Sequence, residues 1–280
     1  MAKVTAIITS YKRDVKIVER AVNSVLNQTF SDIEILVVDD NVPDSEYSSE
    51  LKKLCENKNI TYLTQRANKG ACSARNYGIK YGLGDYIGFL DDDDEWLPKK
   101  IETQLGVFEK NPKVGLVYCR GNIVNEENHK VTAIYNQDNI KTNLSFQELL
   151  TKDYIGSTSQ PLVKKECFET VGGFWEEQPA RQDYEMWLRI SQKYQIYGIQ
   201  DILFNHNMHE GEQISRSFDK SYRGYKNIFD RYKDSYDKYP KAKKGIARTL
   251  CGVCMKKKSF ECVYYGLMYF GASVKALFEK

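Results

Sequence analysis

Long hydrophobic runs are missing from this 280-residue chain. Nowhere do about 18 apolar residues follow one another, so we expect no helix that spans a bilayer. The apolar start, residues 4–8, is too short for the core of a signal peptide. The low counts of 6 Pro and 18 Gly exclude a fibrous or low-complexity protein. The share of hydrophobic residues, 41%, excludes a disordered one. Seven Cys, an odd count, favour reduced thiols over a disulfide framework, which predicts a globular cytoplasmic protein.

Charge is unevenly distributed along the chain. Residues 1–215 carry 25 basic and 32 acidic side chains, a net charge of −7. Residues 216–280 carry 16 basic and 6 acidic side chains, a net charge of +10. An acidic body that handles anions needs a cation, and a basic tail can lie on an anionic surface. We expect no nucleic-acid partner.

The first hundred residues alternate between short β-branched runs and segments of helical periodicity. This alternation predicts an α/β fold whose mostly parallel sheet is covered by helices on both faces. The predicted strands are Val4–Thr9, Ile33–Val38, Ile60–Leu63 and Tyr86–Leu90, and the predicted helices cover residues 17–26, 46–56 and 70–82.

The signal is more mixed after residue 98. We predict strands at 114–119 and 161–165 and helices at 146–151 and 183–194. Aromatic residues spaced by three and four between Phe218 and Tyr239 predict one long amphipathic helix that Pro240 ends. The predicted domains are residues 1–215, with halves 1–98 and 99–215, and a helical extension over residues 216–280.

Polar and acidic side chains follow the predicted strands where ligands of open parallel sheets bind. Thr9 and Tyr11 end the first strand, Asp39 ends the second, and Asp91–Asp94 follow the fourth. The glycine patterns GxGxxG and GxxxxGK[ST], which cradle phosphates, are missing from the sequence. Carboxylates repel phosphate unless a divalent cation lies between them, so the pattern predicts Mg²⁺ or Mn²⁺ and a phosphorylated ligand.

Eight short motifs in order resemble family 2 glycosyltransferases over about residues 3–215. The resemblance implies a GT-A fold, a nucleotide-diphosphate sugar donor, a divalent metal ion and inversion at the anomeric carbon. The motifs are Val4–Tyr11, Ser24–Thr29, Glu34–Asp40, Asn68–Gly70, Ala74–Gly78, Gly84–Asp94, Gly172–Phe174 and Gln182–Glu185.

The resemblance also implies a role for individual residues. Asp183 matches the catalytic base, which takes the proton of the acceptor hydroxyl. Asp93 matches the metal ligand, with Asp91 and His209 as further candidates. The positions that match nucleotide contacts are Thr9, Tyr11, Asp39, Arg75, Asp91 and Asp92. The chain departs from the family in having Asn41-Val42 where Gly-Ser is usual and Asp92 where a small residue is usual.

Each of these residues also has a purely structural interpretation. Asp39 and the Asp91–Asp94 run can cap the helices that follow them, and Asp183 can complement a helix dipole. Arg75 can pair with Asp39 or Asp40, and His209 can be a surface histidine.

The tail leaves two interpretations open. Its aromatic stripe is either core or, together with the uncharged stretch 262–274 and the basic residues, an interfacial helix on anionic lipid. A paired tail helix would make a homodimer unsurprising. The Cys251–Cys254 pair favours a buried helical pair over zinc, because a structural zinc site needs four ligands.

The sequence favours an inverting, metal-dependent transferase that uses a UDP-sugar and a glycan or lipid-linked saccharide. Such an enzyme would act in surface polysaccharide or capsule synthesis at the inner face of the membrane. A metal-dependent phosphohydrolase is the second hypothesis, although the downstream Lys or Thr that it requires is not evident. The third is a non-catalytic glycan-binding protein with a decayed site, which the intact Asp93 and Asp183 disfavour.

Overall fold

The computed structural model describes residues 3–65, 67–138, 140–208 and 217–277. The chain divides into two compact units. The sheet unit comprises residues 1–143, 155–174 and 193–209, and the helical unit comprises residues 144–154, 175–192 and 210–280. Segments 144–154 and 175–192 thus group with the C-terminal residues, and the sequence boundary near residue 215 stays a prediction.

The sheet unit contains all the strands of the described residues and five of their helices. The strands are β1 (Val4–Ser10), β2 (Ile33–Asp39), β3 (Thr61–Thr64), β4 (Tyr86–Asp91), β5 (Glu95–Trp96), β6 (Val114–Asn125), β7 (Val131–Tyr135), β8 (Leu162–Lys164) and β9 (Gln195–Met208). The helices are α1 (Val15–Leu26), α2 (Glu46–Lys58), α3 (Ala71–Tyr81), α4 (Lys100–Lys110) and α6 (Lys165–Val171).

The strand order is β3-β2-β1-β4-β8-β6-β9-β5, and β7 pairs with β6. Strands β3, β2, β1 and β4 are mutually parallel, as are β6 and β9. Strand β8 is antiparallel to both β4 and β6. The predicted mostly parallel sheet is therefore confirmed.

The buried faces explain why these segments form strands and helices. The inner strand β1 is a β-branched run in which Val4, Ile7 and Ile8 are fully buried. Helix α3 packs tightly on β1, because a Cβ on its Gly78 would stand 2.6 Å from Cγ2 of Ile7. A side chain at this position would push α3 away from the sheet.

The helical unit contains α5 (Phe146–Thr151), α7 (Gln182–Ser191), α8 (Phe218–Arg231), α9 (Lys233–Lys238), α10 (Pro240–Lys256) and α11 (Glu261–Ala276). Its core includes Trp187 of α7 and Tyr236 of α9, both fully buried. The carboxylate of Glu185 is also buried, and it pairs with Arg189 at 2.9 Å and with Arg231 at 3.1 Å. None of the described helices is long and apolar enough to cross a bilayer.

The structure corrects the single helix predicted from Phe218 to Tyr239. Helix α8 ends at Arg231, and Tyr232 (φ −107°) separates it from α9. Pro240 begins α10 instead of only ending a helix, because proline fits the first turn, where no backbone donor is needed. The aromatic stripe is largely core: Tyr222, Phe229, Tyr232 and Tyr236 are buried.

Candidate active site

The parallel register brings the ends of three strands to one edge of the sheet. Thr9 of β1 lies opposite Val38 of β2 and Asp91 of β4. Ser10 lies opposite Asp39. Thr9 is half-buried at this edge, and Tyr11, just beyond it, is 44% exposed. The sequence prediction that these side chains share one edge is confirmed.

Asp39 organises the loop after β2. Its Oδ1 atom accepts hydrogen bonds from the backbone and side-chain nitrogens of Asn41, at 2.8 and 2.7 Å. Its Oδ2 atom accepts from the hydroxyls of Ser48 and Tyr62, both at 2.6 Å. Asn41 Oδ1 in turn accepts from the backbone N–H of Lys12 at 2.7 Å, which ties the loop after β1 to the loop after β2. This carboxylate is fully buried and engaged within the protein.

Asp40 fixes the start of α3. Its two carboxylate oxygens accept from the backbone N–H groups of Lys69 and Gly70, at 2.8 and 2.9 Å. Burial raises the pKa of Asp40, while these two bonds act in the opposite direction. Gly70 is the N-cap of α3 and has φ +88°, a conformation that glycine adopts without strain. Asp40 thereby sets the direction from which α3 presents its side chains.

Arg75 of α3 reaches the end of β4. Its Nη2 atom donates to Oδ1 of Asp91 at 2.9 Å, and the hydroxyl of Thr158 donates to the same oxygen at 3.0 Å. The guanidinium also lies 5.6 Å from the ring centroid of Phe174. Arg75 therefore pairs with Asp91 instead of with Asp39 or Asp40.

Arg13 joins the next two carboxylates. Its Nε donates to Oδ1 of Asp92 and its Nη2 donates to Oδ2 of Asp93, both at 2.9 Å. Burial, which the charge of Arg13 opposes, raises the pKa of Asp92 to about 7. Sequence reasoning missed Arg13, and its position just after the first strand was the only signal available.

Asp94 connects the loop after β4 to β9. Its fully buried carboxylate accepts from the hydroxyl of Ser159 at 2.6 Å and from the backbone N–H of Asn207 at 3.1 Å. It also contacts Nδ1 of His206 at 3.0 Å. Ser159 Oγ accepts in turn from the backbone N–H of Asp91 at 3.1 Å. Asp91, the Asp92–Asp93 pair and Asp94 are thus held by different partners.

Comparison with known protein families shows which family this chain belongs to. The sequence profile described as "Glycosyl transferase family 2" matches residues 5–172, which is more than half of the chain. The chain belongs to glycosyl transferase family 2. The matched region includes the acidic edge, that is, Asp39, Asp40 and Asp91–Asp94 at the ends of β2 and β4, and it ends before Asp183.

Two relatives from Escherichia coli illustrate this membership. The putative colanic acid biosynthesis glycosyl transferase WcaA of strain K12 is 26% identical over 226 residues, 79% of this chain and 78% of WcaA. WfgD is described as a UDP-Glc:alpha-D-GlcNAc-diphosphoundecaprenol beta-1,3-glucosyltransferase, and it is 30% identical over 188 residues, 67% of this chain and 69% of WfgD. The chain spans only 61–62% of the length of some other curated relatives.

Solved structures of glycosyltransferases share the fold of this family 2 chain. S. aureus TarS 1-349 in complex with UDP-GlcNAc superposes with a TM-score of 0.64 at 14% identity, over 96% of this chain and 89% of that one. The mannosyltransferase PcManGT from Pyrobaculum calidifontis, in complex with GDP-Man and Mn²⁺, superposes with a TM-score of 0.63 at 16% identity. The superposition covers 99% of this chain and 88% of PcManGT. The fold is GT-A, as the resemblance implied.

The acidic edge has the donor chemistry for a divalent cation, although no group of three or more His, Cys, Asp or Glu gathers as a metal cluster in the described residues. Mg²⁺ and Mn²⁺ need only one or two protein carboxylates when phosphate oxygens supply other ligands. The side chains of Asp91 and Asp93 are 34% and 17% exposed, whereas those of Asp92 and Asp94 are 8% and 0% exposed. Exposure therefore singles out the two predicted aspartate ligands, and their hard oxygen donors fit such an ion.

The remaining candidates from the sequence are Asp183, His209 and the Cys251–Cys254 pair. Asp183 is in the first turn of α7 in the helical unit, where its Oδ1 accepts from the backbone N–H of Tyr184 at 2.8 Å. His209 lies outside the described residues. Cys254 of α10 is buried, and Cys251 donates to the backbone oxygen of Cys262 at 3.4 Å.

Proposed function

We propose that this family 2 member transfers a sugar from a nucleoside diphosphate sugar to a hydroxyl of a glycan or lipid-linked saccharide. The proposed donor is a UDP-sugar. The reaction would extend a surface polysaccharide or capsule. The observation that carries the proposal is the acidic edge itself, where the partly exposed Asp91 and Asp93 pair with Arg75 and Arg13. The acceptor described for WfgD and the nucleotide sugars bound to TarS and PcManGT support this substrate class.

The transfer breaks the bond between C1 of the sugar and the diphosphate oxygen and forms a bond from C1 to the acceptor oxygen. The acceptor oxygen attacks from the face opposite the leaving group, which inverts the anomeric carbon. We assign Asp183 as the base that takes the acceptor proton. The electron pair of the broken bond leaves on the nucleoside diphosphate.

A divalent cation, Mn²⁺ or Mg²⁺, would be held by Asp93 and Asp91, and when bound it would offset the charge of the leaving diphosphate. We assign Thr9 and Tyr11 to contact with the nucleoside and Arg75 to a hydrogen bond with the nucleotide. Asp39 acts on the nucleoside pocket by ordering Asn41 and the loop after β2.

Ligand-dependent stability tests the proposal directly. UDP with Mn²⁺ should raise the melting temperature, because a ligand that binds only the folded state stabilises it. A panel of nucleotide sugars, assayed for Mn²⁺-dependent release of the nucleoside diphosphate, would identify base and sugar together. Absence of any shift with every nucleoside diphosphate, or phosphate release from simple esters without sugar transfer, would overturn it.

We further propose that α11 rests on an anionic membrane surface. The apolar side chains of one stripe, spaced by three and four residues, are exposed: Phe260, Val263, Tyr264, Leu267, Phe270, Val274 and Leu277. The run Lys256–Lys258 stands directly before the helix, and Lys275 stands in its last turn. An apolar stripe flanked by lysines complements anionic lipid. A homodimer through the same face is the competing outcome, and sedimentation velocity without lipid would detect it.

A further inference from the structure

The helical unit contains a concave site that the transfer reaction does not use. It is a cavity of about 520 Å³ lined by α5, α8, α10 and the residues around the start of α7. This volume lies in the usual range for small-molecule sites, roughly 300–1,000 Å³. Every charged residue that lines it in the described part of the chain is basic: Lys152, Arg181, Arg248 and Lys256.

Two acids of this unit, Asp219 and Glu185, are engaged with cations outside the cavity. Asp219 pairs with Lys257 at 2.8 Å, and Glu185 pairs with Arg189 and Arg231. The described lining of the cavity thus carries four cations and no acid. A concave surface of one charge concentrates ligands of the opposite charge.

Arg181 is held in a costly conformation at this cavity. Its backbone is left-handed, with φ 61°, and within the described residues its buried Nε has no hydrogen-bond partner. Its guanidinium is fixed by stacking at 4.9 Å from the ring centroid of Tyr225. Such departures are energetically unfavourable and cluster at binding sites. Arg181 is thus preorganised for an anionic partner.

Two glycines of α10 shape the opposite wall. A Cβ on Gly245 would stand 2.1 Å from the backbone oxygen of Thr151, so glycine lets α10 approach α5. A Cβ on Gly252 would meet nothing within 4 Å. Glycine is less favourable than alanine inside a helix, yet at this position no close contact requires it. Its effect is to leave space in the cavity.

The cavity wall also contains apolar and hydroxyl-bearing side chains. Phe218 and Val253 contribute apolar surface, and Thr151, Ser221 and Thr249 contribute hydroxyls. Cations and hydroxyls suit phosphate oxygens, whereas the apolar side chains suit a hydrocarbon. An amphiphilic diphosphate satisfies both kinds of wall.

We propose that this cavity binds the diphosphate group of a lipid-linked acceptor, an inference that rests on the function proposed above. Only Gln182 separates Arg181 from Asp183, a reach of at most about 7 Å of chain. A diphosphate held at Arg181 therefore brings the attached saccharide to the start of α7. This places the acceptor hydroxyl near the proposed base.

Calorimetry on the full chain tests the cavity with farnesyl diphosphate, inorganic pyrophosphate and farnesol as probes. Farnesyl diphosphate should bind more tightly than pyrophosphate, and farnesol should not bind. Arg248→Gln should weaken farnesyl diphosphate binding about tenfold, because a charge-assisted contact is lost. Gly252→Leu should abolish binding by filling the cavity. The matched controls are Arg223→Gln, an exposed arginine that does not line the cavity, and Gly106→Leu on α4, where a Cβ also meets nothing within 4 Å.

Equal binding of pyrophosphate and farnesyl diphosphate would reduce the site to a free-phosphate site and overturn the lipid assignment. Unchanged binding in both Arg248→Gln and Gly252→Leu would overturn the cavity assignment. Hydrolysis of nucleotide sugars without acceptor separates the two proposals. If wild type binds farnesyl diphosphate but cleaves no nucleotide sugar, the transferase proposal fails and the diphosphate site stands. If the cavity variants raise the KM for the sugar nucleotide, the cavity holds donor diphosphate and the acceptor inference is wrong.

Discussion

The Nδ1 atom of His206 lies 3.0 Å from Oδ1 of the buried carboxylate of Asp94. Burial alone would lower the pKa of this imidazole, but the hydrogen bond to Asp94 and its negative charge prevail and raise it to about 8. The unfolded value is about 6.5. The pair therefore stabilises the fold fully below pH of about 6.5, and this stabilisation is lost as the pH rises through the folded pKa.

Replacing His206 with Asn should remove this pH dependence. We expect the free energy of unfolding of wild type, relative to His206→Asn, to fall by about 2 kcal/mol between about pH 6 and about pH 9. Chemical denaturation at several pH values measures it. His129→Asn is the control, because His129 is exposed and its positive φ of 54° suits asparagine. A difference that does not vary with pH would contradict the assignment.

Asp93→Asn should weaken the cation-dependent part of donor binding. Losing one of the two partly exposed carboxylates at the acidic edge should lower Mn²⁺-dependent release of nucleoside diphosphate by about 100-fold. Titrating Mn²⁺ at fixed donor measures the change. Asp85→Asn is the matched control, since Asp85 is exposed just before the opposite end of β4. Full activity in Asp93→Asn at low Mn²⁺ would exclude Asp93 as a ligand.

Asp183→Asn should separate binding from transfer. The isosteric amide cannot accept the acceptor proton, so we expect transfer to fall about 100- to 10,000-fold. The melting-temperature shift with UDP and Mn²⁺ should stay unchanged. Glu177→Gln, an exposed acid of the same unit, is the control. Undiminished transfer would remove Asp183 from its proposed role.

The double variant Leu267→Ser, Phe270→Ser should release the protein from lipid. These side chains are 69% and 70% exposed, and losing their burial in lipid should weaken binding to phosphatidylglycerol vesicles at least about tenfold. Co-sedimentation measures the bound fraction. Leu83→Ser, at an exposed leucine of the sheet unit, should have no effect. Equal sedimentation of both variants would argue against a membrane role for α11.

The sequence predicts the sheet edge well because short runs of neighbouring residues show where each strand ends. A buried run followed by Asp predicts where β2 and β4 end, and parallel pairing then brings those ends together. Arg13 escaped prediction because its partners lie 79 and 80 residues away, a pairing that depends on the path of the loop after β1. Strand β9 escaped prediction because polar residues interrupt its alternation and its register against β6 shifts.

The helical unit was harder to predict for a related reason. The three-four spacing of its aromatic residues continues through Tyr232, yet the backbone breaks there and starts a new helix. The apolar stripes of α8 and α11 have similar periodicity, and they differ in how far they are buried. The first packs inside the unit and the second remains exposed, a distinction that depends on the tertiary partners of each helix.

Asn41 links the loops after β1 and β2. It accepts from the backbone N–H of Lys12 and donates to Asp39, and so fastens the two loops to each other. Loops already ordered lose less conformational entropy when a nucleoside settles between them. Asn41→Gly should therefore bind UDP with a less favourable entropy, while the contacts to the nucleotide, and hence the enthalpy, change little.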